Sequence, residues 1–303
     1  MLFRAIEEKN LFRYGIICAL EELPAAYPVT LRGDIDEVAE RAAGAGFDAV
    51  ELHIRDPLSY DADELARAVK GRGLAFSGIS TGLEYVLNGL SLISDDKGIR
   101  REAADKLKAH IDFAEKISCP SVVVGGMRGN IPDFSRYDEY EGRLTEAVLE
   151  LSGYASDRPV TVLIESINRY VTNYLCSVPE TLEYIGRLGR PNIRIHIDTH
   201  QMNIEDIDFG REIRACGERL GYVHFSDNNR SVPGGGNIDF LPVMRALYEI
   251  SYTGFIGIES VEYPPGNQAV ETSLAMLRGL ESEIAADEGK RAALAGARGI
   301  KGL

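Results

Sequence analysis

The sequence predicts a single-domain α/β protein with a (β/α)8 TIM-barrel fold. Eight short apolar runs alternate with eight segments of helical periodicity, spaced about 30 residues apart, and such alternation is typical of a parallel sheet. Eight units favour a closed barrel over an open doubly wound sheet, and a chain of 303 residues can hold the roughly 250 that a barrel takes. No Gly-x-Gly-x-x-Gly fingerprint follows the first run, which also argues against the open sheet.

The individual elements follow from apolar patterning and helix boundary signals. Asp34 is a favourable N-cap for the first helix, and Gly46 is a favourable stop. Residues 81–95 and 127–140 are predicted as loops, 1–13 as an N-terminal extension, 14–286 as the barrel and 287–303 as a poorly packed C-terminal tail. The predicted strands are 14–20, 47–54, 74–80, 121–126, 160–167, 193–198, 222–225 and 255–260, and the later helices are 62–70, 99–117, 144–154, 179–188, 208–216, 240–250 and 269–286.

The composition indicates a cytoplasmic protein. Lys and Arg number 33 against 47 Asp and Glu, a net charge of −14, which disfavours nucleic acid and anionic membranes as partners. The apolar runs are too short for a transmembrane helix, and the N-terminal residues do not have the pattern of a signal peptide. None of the four cysteines forms a C-x-x-C pair, so we expect reduced, structural thiols.

Four potential metal ligands end four successive predicted strands: Glu165, Asp198, His224 and Glu259. Their separations are 33, 26 and 35 residues (198−165, 224−198, 259−224), about one β/α unit each. Because the carboxyl ends of barrel strands face one pocket, these side chains should meet there. In the run 193–198 the isoleucines share one face and should pack under the helices, which turns Asp198 inward.

Three carboxylates and an imidazole that converge without a cation would repel one another, and a divalent metal would resolve this. A ligand set rich in oxygen favours Mn²⁺, with Mg²⁺, Co²⁺ or Zn²⁺ as alternatives, over a closed structural zinc site. The alternative interpretation is that each acid is a strand-end residue or a helix cap.

Four segments carry a family resemblance: 165–170 (ESINRY), 198–205 (DTHQMNIE), 224–236 from His224 through the triple glycine, and 258–260 (IES). From about residue 14 to residue 276 the chain resembles the xylose isomerase-like TIM barrels of the sugar phosphate isomerase/epimerase superfamily. Within it, the sequence is most similar to the D-tagatose 3-epimerase-like ketose epimerases.

The resemblance implies that Glu165, Asp198, His224 and Glu259 bind one divalent metal and that the two glutamates form the acid/base pair. It implies a sugar substrate and an assembly into dimers or tetramers. The expected substrate contacts are Arg230, Gln201, His200, Glu51 and Asn168.

The chemistry expected of such a site is proton transfer next to a carbonyl. The metal stabilises an enediolate by Lewis acidity while a carboxylate removes a proton and another returns one. Return to the opposite face inverts a stereocentre, and return to the adjacent carbon gives aldose–ketose isomerisation. Two positions depart from the epimerase pattern: Val171 stands where a second glutamate is usual, and Gln201 where a histidine is usual. The substrate and the carbon that reacts therefore stay open.

Three other functions are alternatives to this one. A dehydratase of a keto-inositol or dehydroshikimate type needs the same proton abstraction. An endonuclease IV-like repair enzyme shares the barrel, but it needs many histidines and a basic face, whereas this chain has five histidines and a charge of −14. A non-catalytic sugar-binding barrel has no need of two opposed carboxylates. Among the other histidines, His53 is a further pocket candidate, His196 is expected to be buried and hydrogen-bonded, and His110 to be on the surface.

Overall fold

The computed structural model describes residues 10–261 and 268–299. Eight parallel strands pair in sequence order, and the last pairs with the first from Arg13↔Phe255 to Ile16↔Ile258, so the sheet closes into a barrel and the predicted TIM-barrel fold is confirmed. A two-residue strand, Leu31–Arg32, pairs with the end of β1. The barrel strands are β1 Arg13–Ala19, β2 Ala49–His53, β3 Ala75–Ser80, β4 Ser121–Val124, β5 Thr161–Glu165, β6 Ile193–Asp198, β7 Leu220–Phe225 and β8 Phe255–Ile258.

The helices connect successive strands across the outside of the barrel. The first begins at its predicted cap, where the Asp34 side chain accepts a hydrogen bond from the amide of Glu37, and it ends at Gly46 with φ of 90°. The helices are α1 Ile35–Ala45, α2 Ala62–Lys70, α3 Gly82–Asn88, α4 Lys97–Ile117, α5 Tyr137–Tyr154, α6 Val178–Leu188, α7 Thr199–Glu205, α8 Phe209–Cys216, α9 Phe240–Glu249 and α10 Gln268–Gly299.

Some boundaries differ from the sequence prediction. Helix α3 lies in a predicted loop, α7 was not predicted, and α5 begins seven residues earlier than expected. Helices α3 and α7 have only seven residues each, which is too short to show a helical period. Helix α10 extends to Gly299, into the predicted tail. Residues 1–9 of the predicted extension and 300–303 of the tail lie outside the described residues.

Two apolar layers make up most of the core, and a small third cluster consists of Ile17, Ala19 and Val29. The larger fills the space between the strands and the helices, and the outward side chains of β6 (Ile193, Ile195 and Ile197) belong to it. Each isoleucine buried in this way contributes about 1.5–3 kcal/mol. The smaller layer fills the barrel interior and consists of Ala49, Val123, Leu163, Tyr222 and Phe255. Because side chains alternate along a strand, His196 and Asp198 face the interior, as the β6 pattern predicted.

Two expectations about histidines need correction. His110 is fully buried, and its Nε2 lies 3.0 Å from the carbonyl oxygen of Arg55, so the prediction of a surface residue is wrong. The connection after β2 covers this side of α4. His196 is buried as expected, but neither ring nitrogen has a hydrogen-bond partner.

Two other sequence expectations concern the thiols and the membrane. All four cysteines are free thiols, and three of them are buried. Within the described ranges, no helix combines the length and the apolar character needed to cross a membrane.

Candidate active site

The four predicted metal ligands lie at the carboxyl ends of neighbouring strands. Glu165 is the last residue of β5, Asp198 is the last of β6, His224 is the penultimate residue of β7, and Glu259 directly follows β8. The register pairs Asp198 with His224 across β6 and β7. One ligand atom each from Asp198, His224 and Glu259 lies within 4.8 Å of the others, and all three residues are buried.

The His224 ring is oriented for a metal ligand. Its Nε2 lies 2.7 Å from a carboxylate oxygen of Glu51, while its buried Nδ1 has no hydrogen-bond partner and lies 3.6 Å from Oε1 of Glu259. A carboxylate on one ring nitrogen fixes the tautomer that presents the other nitrogen to a metal. Burial lowers the pKa of His224, but Glu51 and Glu259 outweigh burial and raise it well above its ordinary value. A bound metal would displace that proton. The donor set therefore fits a divalent ion.

Glu165 stands slightly apart from these three groups. Its Oε2 lies 4.0 Å from Nδ1 of His196, and the side chain faces the same pocket as Glu259. Burial, together with the negative charge of Glu259, raises the pKa of Glu165 to about 8. Burial also acts to raise the pKa of Glu259, but Arg230 and His224 outweigh it and lower that pKa below its ordinary value. Opposite shifts in two neighbouring carboxyl groups are typical of an acid/base pair.

Arg230 reaches back over the site from the loop that follows β7. Its Nη1 lies 2.5 Å from Oδ2 of Asp198 and 2.6 Å from Oε2 of Glu259. The residue adopts a left-handed backbone with φ of 62°, and its amide donates to the carbonyl of Asp227. The Asp227 carboxylate accepts three backbone amides of the same loop, and a Cβ on Gly236 would lie 2.3 Å from its Oδ1. The loop therefore folds around Asp227 and directs Arg230 inward.

The other predicted substrate contacts occupy different positions. Gln201 lines the pocket. Its Oε1 accepts hydrogen bonds from the backbone amide and from the side-chain amide of Asn168. The amide of His200 donates to Asp198, and its half-buried ring lies 3.4 Å from the carbonyl of Asp227. Glu51 is completely buried below the pocket, bonded to His224 and to the Ser80 hydroxyl.

A cavity of about 300 Å³ opens above these residues at the barrel mouth. Its polar floor holds Glu165, Glu259, Gln201 and Arg230, and Arg230 is the one arginine or lysine among the described residues that line it. The walls include residues that the sequence did not single out as contacts. These are Tyr27, Pro28, Ser80, Thr81, Gly82, Val86, Val123, Gly125, Gly126 and Ile167. The walls also include His53, Tyr85 and Val171.

Some of these residues could have been found from the sequence. Tyr27 follows the first strand, and His53 ends the second, so both belong to the face where barrel sites form. The hydroxyl of Tyr27 lies 3.4 Å from Nε2 of His53, and burial lowers the pKa of that imidazole. A neutral hydrogen-bonding pair therefore stands on the wall near Glu259.

The fold and the site define the class: a closed (β/α)8 barrel with carboxylates and an imidazole gathered at its carboxyl-terminal mouth. The family model described as xylose isomerase-like TIM barrel matches residues 39–280, and the chain belongs to this family.

Named relatives narrow the class. The chain is 29% identical to an L-ribulose 3-epimerase of Methylomonas sp. (strain DH-1), over 79% of this chain and 82% of that protein. It is 30% identical to a ketose 3-epimerase of Arthrobacter globiformis, over 82% and 83% of the two chains. A solved structure of an L-ribulose 3-epimerase superposes with a TM-score of 0.78 at 25% identity, over 93% of this chain and 98% of that one. The predicted family and class of enzyme, a carbohydrate isomerase or epimerase, are confirmed.

Proposed function

We propose that this protein is a divalent-metal-dependent epimerase or isomerase of an unphosphorylated ketose or a related polyhydroxy carbonyl compound. The observation that carries the proposal is the convergence of Asp198, His224 and Glu259 within 4.8 Å, with Glu165 facing the same pocket. The similarity to ketose 3-epimerases supports the substrate class.

The metal would be held by Asp198, His224 and Glu259, with Glu165 as the fourth ligand. The oxygen-rich donor set favours Mn²⁺ over a soft-ligand metal. When bound, the ion supplies Lewis acidity to the substrate carbonyl and its neighbouring hydroxyl. The unpartnered Nδ1 of His224 supports this assignment, because it lies 3.6 Å from Oε1 of Glu259, so one ion could contact both groups.

The proton is moved by Glu165 and Glu259. Both carboxylates line the same pocket, which supports an arrangement in which one removes a proton from the substrate while the other returns one. Removal of a proton next to the carbonyl by one carboxylate and its return by the other inverts a stereocentre. Return to the neighbouring carbon interconverts an aldose and a ketose.

The pocket lining supports a neutral substrate. Arg230 is already paired with Asp198 and Glu259, so the described lining offers no further arginine or lysine to a phosphate. Gln201 and His53 offer neutral hydrogen bonds to hydroxyl groups, and Val171 with Ile167 gives one wall an apolar surface. We therefore expect hydroxyl recognition near the metal and apolar contact farther out.

A conversion assay tests the proposal. Purified protein is incubated with Mn²⁺, and in parallel with EDTA, on a panel of free ketoses, inososes and phosphorylated ketoses, and the products are resolved by NMR. We expect an epimeric or isomeric product from a free ketose that needs the metal. Loss of water from an inosose would favour the dehydratase instead, and no conversion of any panel member would overturn the proposed function.

Assembly and location stay as predictions. We propose a cytoplasmic dimer or tetramer, as the family resemblance implies. Light scattering after size-exclusion chromatography would contradict the assembly if the mass were that of one 33.3 kDa chain.

A further inference from the structure

The segment between β5 and α6 begins directly after Glu165 and forms one wall of the pocket. Its middle is exposed at the rim, where Tyr170 is 82% and Val171 56% exposed. Because the middle of this segment is exposed, contacts at its two ends must hold the Glu165 carboxylate in place. The contacts that hold it come from the short 3-10 helix Gly126–Arg128 and the residues after it, which follow β4.

Arg128 makes the central contacts, although its side chain is buried and its residue is only 1% exposed. Its Nη1 donates to the carbonyl of Glu165, and its Nη2 donates to the carbonyls of Tyr174 and Leu175, each at 3.2 Å. The Tyr174 hydroxyl donates back to the Arg128 carbonyl at 2.9 Å, and the guanidinium lies 5.6 Å from the centre of the Tyr174 ring. One guanidinium therefore joins the start of the segment to its end.

The use of this arginine is unusual for a buried cation. Buried charges are normally paired with an opposite charge, because desolvation is costly. Among the described residues, no carboxylate oxygen lies within 4 Å of the Arg128 guanidinium. Its Nη1 and Nη2 donate to backbone carbonyls instead, while its buried Nε has no hydrogen-bond partner, so the contacts give fixed geometry rather than charge neutralisation.

The end of β4 also supports the Glu165 carboxylate itself. A Cβ on Gly125 would lie 2.8 Å from Oε2 of Glu165, so the carboxylate packs directly against the glycine backbone. Farther along, the Asn130 side chain donates to the carbonyl of Val171 at 3.3 Å, and its Oδ1 accepts from the amide of Asn173 at 3.1 Å. Both the carboxylate and the segment that carries it thus rest on the β4 loop.

We propose that Arg128 is a positioning residue for Glu165, which fixes the backbone of that glutamate so that its carboxylate meets the substrate in the reactive geometry. The inference rests on the proposed function. Arg128 is too deeply buried to contact substrate, so it acts only through Glu165. A displacement of about 1 Å in a reacting group can lower a rate about 100-fold.

The test compares Arg128→Met, which keeps the side-chain length without donors, with Arg128→Lys, which keeps a donor and the charge. Arg100→Met is the matched control, because Arg100 also donates to backbone carbonyls, those of Ser94 and Asp95, in a different loop. We expect Arg128→Met to lower kcat about 100-fold with a much smaller change in KM, Arg128→Lys to recover part of the loss, and Arg100→Met to keep wild-type kcat.

Hydrogen–deuterium exchange supplies the second readout. Peptides that span residues 165–175 should take up deuterium faster in Arg128→Met than in the wild type, while the other barrel strands keep their protection. Wild-type kcat and wild-type uptake in Arg128→Met would overturn the proposal. An equal loss of kcat in Arg128→Met and in the Arg100→Met control would also overturn the proposal. The loss would then come from lower stability and not from a displaced Glu165.

A second variant and the assay of the wild type complete the test. If Arg128→Met does not fold, Tyr174→Phe replaces it, because this change removes the hydroxyl that donates to the Arg128 carbonyl. Faster deuterium uptake in residues 165–175 together with a lower kcat would support the proposal. Wild-type uptake and wild-type kcat would contradict it. If the wild type converts no ketose, the proposed function fails, and the exchange data alone decide whether Arg128 fixes the Glu165 segment.

Discussion

The Glu51 carboxylate lies 2.7 Å from Nε2 of His224, and both side chains are almost completely buried. The hydrogen bond leaves Nδ1 of His224 as the ring nitrogen without a partner, and this nitrogen lies 3.6 Å from Oε1 of Glu259. A neutral histidine ligand needs this tautomer, because the protonated nitrogen must point away from the metal. Glu51 would therefore determine how the proposed nitrogen ligand is presented.

Replacing Glu51 with Gln should weaken Mn²⁺ binding about 10- to 100-fold, because the amide is a poorer acceptor and makes His224 less basic. Isothermal titration of the metal-stripped protein measures the change. Glu212→Gln is the control, since Glu212 is also a buried glutamate but pairs with Arg211 on α8. Equal Mn²⁺ affinity in wild type and Glu51→Gln would show that Glu51 does not act through His224.

Arg230→Gln should destabilise the protein strongly when EDTA is present. The change leaves Asp198 and Glu259 buried close together without their cation, and breaking such a pair costs about 3 kcal/mol or more. Excess Mn²⁺ should restore much of the loss, because the ion binds the same carboxylates. Arg214→Gln, at an exposed pair with Glu249, should cost less than about 1 kcal/mol. Denaturant unfolding with and without Mn²⁺ measures the loss of stability in both variants. Equal losses would contradict the assignment of Arg230 as the cation that stabilises Asp198 and Glu259.

Gly125→Ala should lower turnover without unfolding the protein. The added Cβ would lie 2.8 Å from Oε2 of Glu165 and push the carboxylate from its place, so we expect a loss of about tenfold or more in kcat. Gly142→Ala on α5 is the control, because a Cβ there meets no atom within 4 Å and should leave kcat unchanged. A Gly125→Ala enzyme with wild-type kcat would mean that the carboxylate does not need this support.

His110 should make the protein less stable in acid. Burial lowers its pKa to about 3 in the folded state, from 6.5 when exposed. Between these values the unfolded chain binds a proton that the folded chain does not, so the free energy of unfolding falls as the pH falls from about 6.5 towards 3, by at most about 1.4 kcal/mol per pH unit.

His110→Gln keeps a donor near the Arg55 carbonyl but does not titrate over this range. Urea unfolding at a series of pH values should give a shallower pH dependence for the variant than for the wild type. The comparison isolates His110, because His53 and His196, whose pKa values are also lowered, remain in both proteins. If the free energy of unfolding had the same pH dependence in both proteins, the lowered pKa of His110 would be contradicted.

The sequence predicted which strand ends meet, because two regularities fix them. Alternation along β6 turns Asp198 inward, and closure of eight strands places residues one β/α unit apart at similar height. The depth of each side chain below the pocket, along a single strand, was harder to infer. Glu51 and His53 share one face of β2, but two residues span about 6.6 Å, so His53 reaches the pocket while Glu51 lies one level below.

Long-range contacts could not be inferred in this way. The approach of Arg230 to Asp198 and Glu259 depends on a loop built around Asp227, and the role of Arg128 depends on the carbonyls of a segment about 40 residues later in the chain. Helix α4 is amphipathic in sequence, yet His110 is buried because the residues after β2 cover it. Each of these features is set by tertiary packing rather than by a local pattern.

The central claim is that Glu165 and Glu259 move a proton next to a substrate carbonyl beside a metal held by Asp198, His224 and Glu259. Deuterium incorporation from D₂O into a free ketose, followed by NMR with Mn²⁺ present, tests it most directly. We predict deuterium at a carbon next to the carbonyl with the wild type, and at least a 100-fold slower rate with Glu165→Gln that retains bound Mn²⁺. Product formation without deuterium, or undiminished exchange in both Glu165→Gln and Glu259→Gln, would contradict the account.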